Sequence, residues 1–150
     1  MKVKLDEGAY MPKRAHELDA GYDLFAPKDF VVPARRPALA SGIGTVILEG
    51  AARIDTGVHM EIPAGYVGFL KSKSGLNVKS GLTSEGVIDS GYTGSIVVKL
   101  YNNSSNDYEI QKGDKISQIV LLPVFTAELE LVDELSETER GNGGFGSTGR

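Results

Sequence analysis

Short runs rich in β-branched and aromatic residues recur along the whole sequence, separated by Gly, Pro, Asn and Asp. Such runs are typical of strands, whereas a helix requires apolar residues spaced three and four positions apart. Helical spacing is hard to find here, and the chain contains 19 glycines, which weaken helices. The pattern therefore predicts an all-β barrel or sandwich.

The clearest hairpin signal lies in residues 85–102. A short apolar run, 87–88, ends at Asp89, and the next five residues (SGYTG, 90–94) contain two glycines before a second β-rich run. This order predicts a β-hairpin. Asp89 and Tyr92 can both face a pocket from such a turn. The alternative is an ordinary surface turn, where Asp and Gly are common for conformational reasons.

Composition excludes several classes of protein. At 150 residues and 41% hydrophobic content, the chain can form one domain with a core. Its net charge of -4 argues against a general nucleic-acid binder, which needs a basic face. The absence of cysteine excludes disulfides, a thiolate nucleophile and cysteine-ligated metals. The N-terminus is too polar for a signal peptide and no apolar run approaches a membrane span, so we expect a cytoplasmic protein.

Two polar features are candidates for ligand contacts. Residues 71–76 (KSKSGL) follow a predicted strand, and their ammonium, hydroxyl and amide groups predict either an anion site or a solvated turn. Gln118 interrupts the strongly apolar run 115–122, where it is either a core amide bonded to backbone or a ligand contact. His16 and His59 lie far apart and have no triad-like or metal-like neighbours, so we interpret both as structural or surface residues.

The secondary structure of two segments is not fixed by their sequence patterns. Residues 77–85 contain the one plausible helical turn before the hairpin. Residues 127–135 are compatible with a strand by alternation or a helix by spacing.

The glycine-rich C-terminus contains a formal G-x-G-x-x-G pattern in residues 140–150. It is not a dinucleotide fingerprint, because no βαβ unit surrounds it, and it lacks the lysine of a Walker A loop. A disordered tail is one interpretation. The other is a segment that folds over a ligand, with Phe145 against a base and Arg140, Ser147 and Thr148 donating to phosphates.

Taken together, five segments in this order resemble the motifs of the trimeric dUTP pyrophosphatases (dUTPases): 20–24, 73–76, 86–96, 113–119 and 140–149. The resemblance covers nearly the whole chain. It implies an all-β, β-clip or jelly-roll-like distorted barrel in residues 1–139, with 36–51 as a surface insertion. It also implies a homotrimer with shared active sites and a mobile C-terminal arm, 140–150, that closes over one of them.

The resemblance further implies hydrolysis of dUTP to dUMP and pyrophosphate with Mg²⁺. Asp89 would activate the attacking water, and Asp23 would approach the metal through its waters. The remaining binding positions that it implies are Lys73, Ser74, Gly75, Thr83, Val87, Ile88, Tyr92, Val97, Gln118, Arg140, Phe145, Gly146, Ser147 and Thr148. No direct nucleic-acid or membrane binding is expected.

The sequence departs from the family pattern at Lys73 and Lys115, where arginine is frequent; lysine keeps the charge but loses the bidentate fork. The nearest rival, dCTP deaminase, would require a catalytic glutamate near Lys99, and lysine cannot replace it. A second rival is a regulatory interaction protein, in which segment 36–51 binds a protein partner if the chain is phage-associated. A carbohydrate or peptide binder would leave Arg140 and Phe145 without a purpose.

Overall fold

The computed structural model describes residues 1–37, 47–48 and 50–144. Within these ranges the chain forms twelve strands and one short helix. The first seven strands are β1 (Val3–Leu5), β2 (Gly21–Phe25), β3 (Phe30–Val32), β4 (Arg36–Pro37), β5 (Ile47–Leu48), β6 (Ala51–Asp55) and β7 (Val58–Met60). They are followed by β8 (Tyr66–Lys71), α1 (Ser74–Ser80), β9 (Leu82–Ile88), β10 (Val97–Asn102), β11 (Tyr108–Ile110) and β12 (Lys115–Pro123).

The main sheet has six strands in the order β2-β12-β8-β9-β10-β6. All its described pairings are antiparallel. Three two-stranded pairs accompany it, β1 with β7, β3 with β11, and β4 with β5. The prediction of an all-β chain is therefore confirmed.

The core is built by alternation along the strands. In β10, Val98, Leu100 and Asn102 are buried, whereas the residues between them are partly or fully exposed. Successive strand residues point to opposite faces, so one face of β10 packs inward. The fully buried apolar side chains come from nearly every strand and include Leu24, Ile54, Leu70, Leu82, Ile96, Leu100, Ile110, Ile116 and Ile119.

The predicted hairpin is present, with β9 longer than its apolar run suggested. Leu82 pairs with Asn102 and Ser84 with Leu100, so the two strands pair at the end far from the turn. Val97, at the start of β10, pairs with Asp55 of β6 instead. The loop that carries Asp89 therefore projects from two diverging strands.

The helix begins earlier than residues 77–85, where the sequence placed it. It spans Ser74–Ser80 and ends at Gly81, whose left-handed φ of 68° and N–H bond to the Asn77 carbonyl close the last turn. None of the helical structure in the described ranges has the length and hydropathy that crossing a bilayer requires.

The expectation of a strand or helix in residues 127–135 is wrong for the single chain. These residues have no assigned helix or strand, and Leu129 and Leu131 are each 99% exposed. A strand needs a hydrogen-bonded neighbour, and the described part of the chain provides none for this segment. Apolar and acidic residues alternate in this segment, which is typical of a strand, although the described residues contain no strand that pairs with it.

Candidate active site

Strand β12 brings three polar segments together because it lies between β2 and β8. Its Gln118 is the cross-strand partner of Asp23 on β2 and of Lys71 on β8. Lys73 follows the end of β8, and Lys115 begins β12. Segments 20–24, 73–76 and 113–119, which are far apart in sequence, therefore meet at one edge of the sheet.

The carboxylate of Asp23 is buried between two lysines. It accepts a hydrogen bond from the Lys73 ammonium group, and its Oδ2 lies 2.8 Å from Nζ of Lys115. The Asp23 side chain is 4% exposed, whereas the two lysine side chains are more accessible. Two positive charges on one carboxylate leave an excess positive charge at the surface, which suits an anionic ligand.

The pKa of Asp23 reflects two opposing effects. Burial raises the pKa of the carboxyl group, but hydrogen bonds from Lys115 and Lys73 outweigh burial and lower it below the ordinary value of 3.8. A lowered pKa stabilises the folded state above pH 3.8, and this contribution is lost as the pH falls through the lower, folded-state pKa. Asp23 is therefore ionised throughout the neutral range.

The Gln118 side chain is hydrogen-bonded to backbone. This is one of the two alternatives that the sequence left open for it. Its Nε2 donates to the Ser72 carbonyl oxygen over 3.1 Å. A Cβ added at Gly21 would lie 3.0 Å from Cδ of Gln118, so the glycine leaves room for the amide. The side chain is half-buried, and its carboxamide oxygen faces Gly21.

Sequence reasoning missed a buried group of hydroxyls beside this cluster. Ser84 Oγ and Ser117 Oγ are 2.8 Å apart, and Ser117 also donates to the Lys71 carbonyl over 3.1 Å. Ser72 Oγ donates to the Ser84 carbonyl and accepts from its N–H. The three serines fix the end of β8, from which Lys73 projects. No sequence signal could reveal this group, because it depends on the register of three strands.

The predicted phosphate-binding residues Ser74 and Gly75 are exposed at the start of α1. A Cβ placed on Gly75 would meet no atom within 4 Å, so the space beside it is open. Both residues follow Lys73 directly, and they extend the polar edge outward from Asp23.

The loop after β9 presents Asp89 and Tyr92 to solvent. The Tyr92 N–H donates to the Asp89 carbonyl over 3.1 Å, which closes a turn, and the Tyr92 hydroxyl donates to the Ser95 carbonyl over 2.9 Å. A Cβ at Gly94 would lie 2.5 Å from Cζ of Tyr92, so the ring packs directly on this glycine. The loop therefore has a defined shape.

The other hairpin residues differ in accessibility. Val87 is 58% and Val97 is 36% exposed, whereas Ile88 is 9% exposed and belongs to the core. Thr83 is half-buried and pairs with Tyr101 of β10. A contact from Ile88 to a ligand would therefore have to come from its backbone.

Asp89 and the Asp23 cluster lie at opposite ends of β9. Ser84 is bonded to Ser72 at the cluster, and Asp89 is five residues further along, which corresponds to about 16 Å at ~3.3 Å per residue. A hydrogen-bonding or proton-transfer contact spans about 3 Å. The structure of one chain thus brings Asp23, Lys73 and Gln118 together but does not bring Asp89 to them.

Comparison with known proteins agrees with this arrangement of motifs. A family model described as dUTPase matches residues 7–149. The chain belongs to the dUTPase family. Among curated relatives, it is similar to the deoxyuridine 5'-triphosphate nucleotidohydrolase of Clostridium acetobutylicum, with 40% identity over 97% of this chain and 93% of the relative.

Solved dUTPase structures share the fold. The Staphylococcus bacteriophage 80alpha dUTPase with dUPNHPP aligns with a TM-score of 0.83 and 34% identity, over 99% of this chain and 98% of that one. A mutant dUTPase from phage phi11 of S. aureus aligns with a TM-score of 0.75 and 32% identity, over 91% of this chain and 98% of that one. The phi11 structure concerns the coordination of a structural Mg(II) ion.

The C-terminal segment of this dUTPase is described as far as residue 144. Arg140 is exposed, and its Nε donates to the Gly143 carbonyl over 3.0 Å within a tight turn. The predicted ligand contacts Phe145, Gly146, Ser147 and Thr148 lie outside the described residues, as does most of segment 36–51.

The side chains available as metal ligands limit how this protein can hold Mg²⁺. No group of three or more His, Asp or Glu side chains suited to a metal occurs in residues 1–37, 47–48 and 50–144. At the polar edge around β12, the Asp23 carboxylate is already bonded to two ammonium groups. These residues fit an ion that enters with a triphosphate and keeps several waters, which is usual for Mg²⁺.

Proposed function

We propose that this protein hydrolyses dUTP to dUMP and pyrophosphate, which keeps uracil out of DNA and supplies dUMP for dTMP synthesis. The observation that carries the proposal is the placement of the motif residues: a lysine-rich phosphate edge around Asp23 and an exposed acid, Asp89, on a shaped loop. The names of the relatives support the choice of dUTP.

In the proposed reaction, the Asp89 carboxylate accepts a proton from water. The water oxygen forms a bond to the α-phosphorus, and the bond from that phosphorus to the bridging oxygen of the leaving pyrophosphate breaks. Mg²⁺, when bound with the triphosphate, would supply neutralisation of its negative charge. Asp23 would face such an ion through its waters, because its own oxygens are held by Lys73 and Lys115.

The other residues bind and orient the nucleotide. Lys73, Ser74 and the Gly75 amide hold phosphate oxygens, and Gln118 binds near the α-phosphate. The hairpin reads uracil through its backbone around Thr83, Val87, Ile88 and Val97. A fixed backbone discriminates against cytosine, because the wrong base leaves a buried group unpaired at a cost of about 1–3 kcal/mol.

Tyr92 lies under the deoxyribose and leaves no room for a 2′-hydroxyl. In the C-terminal arm, Arg140, Ser147 and Thr148 bind the γ-phosphate, while Phe145 stacks on uracil and Gly146 permits the close approach. In this proposal the arm closes over the bound nucleotide.

We propose a homotrimer in which each site takes Asp89 from one chain and the Asp23 cluster from another. The separation of about 16 Å between them along β9 supports sharing, since one chain cannot close that distance. The exposed, alternating segment 127–135 supports association, because it can add as a strand to a neighbouring chain.

The test is pyrophosphate release from dUTP, dCTP, dTTP and UTP with Mg²⁺. We expect release from dUTP alone, and a loss of at least ~100-fold in kcat for Asp89→Asn, which removes the proton acceptor. Glu85→Gln is the matched control, because Glu85 is an exposed acid on the same hairpin that pairs with Lys71. Release from none of the four nucleotides by the folded wild type would overturn the proposal.

A second role, in binding a regulatory protein, is also proposed for the 36–51 segment. The description of the phage 80alpha structure states that phage dUTPases control transfer of virulence genes. Strands β4 and β5 pair with each other in a two-stranded sheet that is separate from the six-stranded main sheet.

A further inference from the structure

His59 on β7 lies between two hydrogen-bond acceptors. Its Nδ1 is 2.8 Å from the carbonyl oxygen of Thr93, and its Nε2 is 3.0 Å from Oδ2 of Asp6. Thr93 belongs to the loop that carries Asp89 and Tyr92, whereas Asp6 follows β1. The imidazole ring therefore connects the N-terminal strand pair to the loop of the proposed active site.

Neither acceptor can donate a hydrogen bond, because a carbonyl oxygen and an ionised carboxylate are acceptors alone. A neutral imidazole has one N–H, so it bonds to one acceptor and turns a lone pair toward the other. The imidazolium donates to both. We infer that His59, as the imidazolium, is a positioning residue that holds the Asp89 loop in place through the Thr93 carbonyl. Its effect on catalysis rests on the proposed function.

The position of Thr93 in the loop explains why its hydrogen bond to His59 matters. The end of the loop is fixed where the Ile96 N–H donates to the Val58 carbonyl over 2.8 Å and the Ser95 hydroxyl donates to Asp55. Thr93 lies between these contacts and Asp89. His59 therefore holds the part of the loop that the strand contacts do not reach.

The charged groups beside the ring come from β1 and its flanks and from the end of β7. They are Lys2, Lys4 and Glu61, which line the same pocket as His59, and Asp6, which bonds to the ring. Lys4 is the cross-strand partner of His59, and its Nζ lies 3.4 Å from Oδ1 of Asp6, while Lys2 pairs with Glu61. Asp6 is thus the acid in direct contact with the ring.

The direction of the pKa shift agrees with this geometry. The hydrogen bond to the Thr93 carbonyl, followed by the bond to Asp6, raises the pKa of His59 above 6.5, although desolvation and Lys4 oppose it. Both contacts are therefore complete below pH 6.5, and one of the two is lost as the pH rises through the folded-state pKa. The loop is expected to loosen on the alkaline side of that pKa.

The contact can be measured without any assay of activity. The sequence contains two histidines, so an NMR titration has only two imidazole signals to assign, and loss of one signal in His16→Gln identifies the other as His59. We expect His59 to titrate above pH 6.5, the ordinary value for histidine. The Gly94 amide shares a peptide group with the Thr93 carbonyl, so its chemical shift should follow the His59 titration.

Asp6→Asn is the informative variant, because it removes the carboxylate but keeps its shape. The asparagine amide can donate to a neutral ring, so the Thr93 contact survives while the His59 titration moves to lower pH. For the wild type, we expect kcat with dUTP to fall by about fivefold across the titration of His59, the equivalent of one hydrogen bond. In Asp6→Asn this fall in kcat should disappear, because the neutral ring keeps its hydrogen bond to the Thr93 carbonyl.

His59→Ala should lower kcat by a similar factor with KM within about twofold, because one hydrogen bond is lost while the groups proposed to bind substrate remain. His16→Gln is the matched control and should change neither constant. The inference is overturned if His59 titrates at or below pH 6.5, if the Gly94 amide does not follow it, or if the fall in kcat persists unchanged in Asp6→Asn. If the wild type hydrolyses no nucleotide, the function fails, and the NMR titration still decides whether the ring holds the loop.

Discussion

Gly94 is the residue at which a single added methyl group should disturb the proposed active site. A Cβ there would lie 2.5 Å from Cζ of Tyr92, so Gly94→Ala must displace the ring and break its bond to the Ser95 carbonyl. We expect kcat/KM for dUTP to fall about tenfold, which corresponds to ~1.4 kcal/mol, and the preference for dUTP over UTP to decrease.

Gly91→Ala provides the matched control in the same loop, because a Cβ at Gly91 meets no atom within 4 Å. It should leave both kinetic quantities within about twofold and the free energy of unfolding within about 0.5 kcal/mol. Equal effects of the two alanines on nucleotide preference would contradict the proposed position of Tyr92.

For single residues, the sequence predicted which side chains belong to the candidate site better than it predicted their burial and contacts. Taken alone, Asp23 is expected to be an acid at a strand end facing water, yet its side chain is 4% exposed. Its burial depends on Lys73 and Lys115, which approach from two other parts of the chain. The motif resemblance identified these residues, but no local pattern specifies that the two ammonium groups share one carboxylate.

The end of β8 is stabilised by hydroxyl groups from its two neighbouring strands. Ser117→Ala removes a bond to the Lys71 carbonyl and leaves the buried Ser84 hydroxyl without its partner, so we expect a loss of about 1–3 kcal/mol in the free energy of unfolding. The double variant Ser84→Ala/Ser117→Ala should lose less than the sum of the two single changes, because their hydroxyls share a bond.

Urea unfolding at one fixed protein concentration measures this coupling, since association also stabilises the fold. Ser105→Ala, at an exposed serine in the loop after β10, should change the free energy of unfolding by less than about 0.5 kcal/mol. Strict additivity of the two single changes would show that the serines do not act together.

Elements with strong local signals were predicted best. The bounds of β1 and β11 match their β-rich runs, Val3–Leu5 and Tyr108–Ile110, and the hairpin of β9 and β10 is confirmed. The helix was placed too late, because Gly81 ends it in a left-handed conformation instead of continuing it. Segment 127–135 could not be assigned from sequence, since an alternating pattern indicates a strand but does not supply its partner.

For the whole molecule, the single chain leaves two features incomplete. Apolar side chains at Phe125, Leu129, Leu131 and Leu135 are at least 88% exposed, and Asp89 lies about 16 Å along β9 from the phosphate edge. Large exposed apolar groups in an alternating segment usually mark a protein contact. Association through such a segment would cover the leucines, and the same assembly could bring the two parts of the proposed site together.

Mixing two inactive variants tests this sharing directly. In Asp89→Asn the proposed phosphate edge is intact, and in Gln118→Ala the proposed proton acceptor is intact. If each site uses Asp89 from one chain and Gln118 from another, random reassembly of equal amounts should restore about one quarter of the sites, because closed assemblies of identical chains repeat one interface. If both residues act within one chain, mixing restores none.

The experiment requires exchange of chains, so the two proteins are mixed in mild denaturant, refolded together, and compared with each variant refolded alone. Light scattering should give the mass of a trimer for all three samples. Activity near one quarter of wild type would establish the shared site, whereas trimers of normal mass with no recovered activity would contradict it. A monomer that hydrolyses dUTP would overturn both the trimer and the sharing.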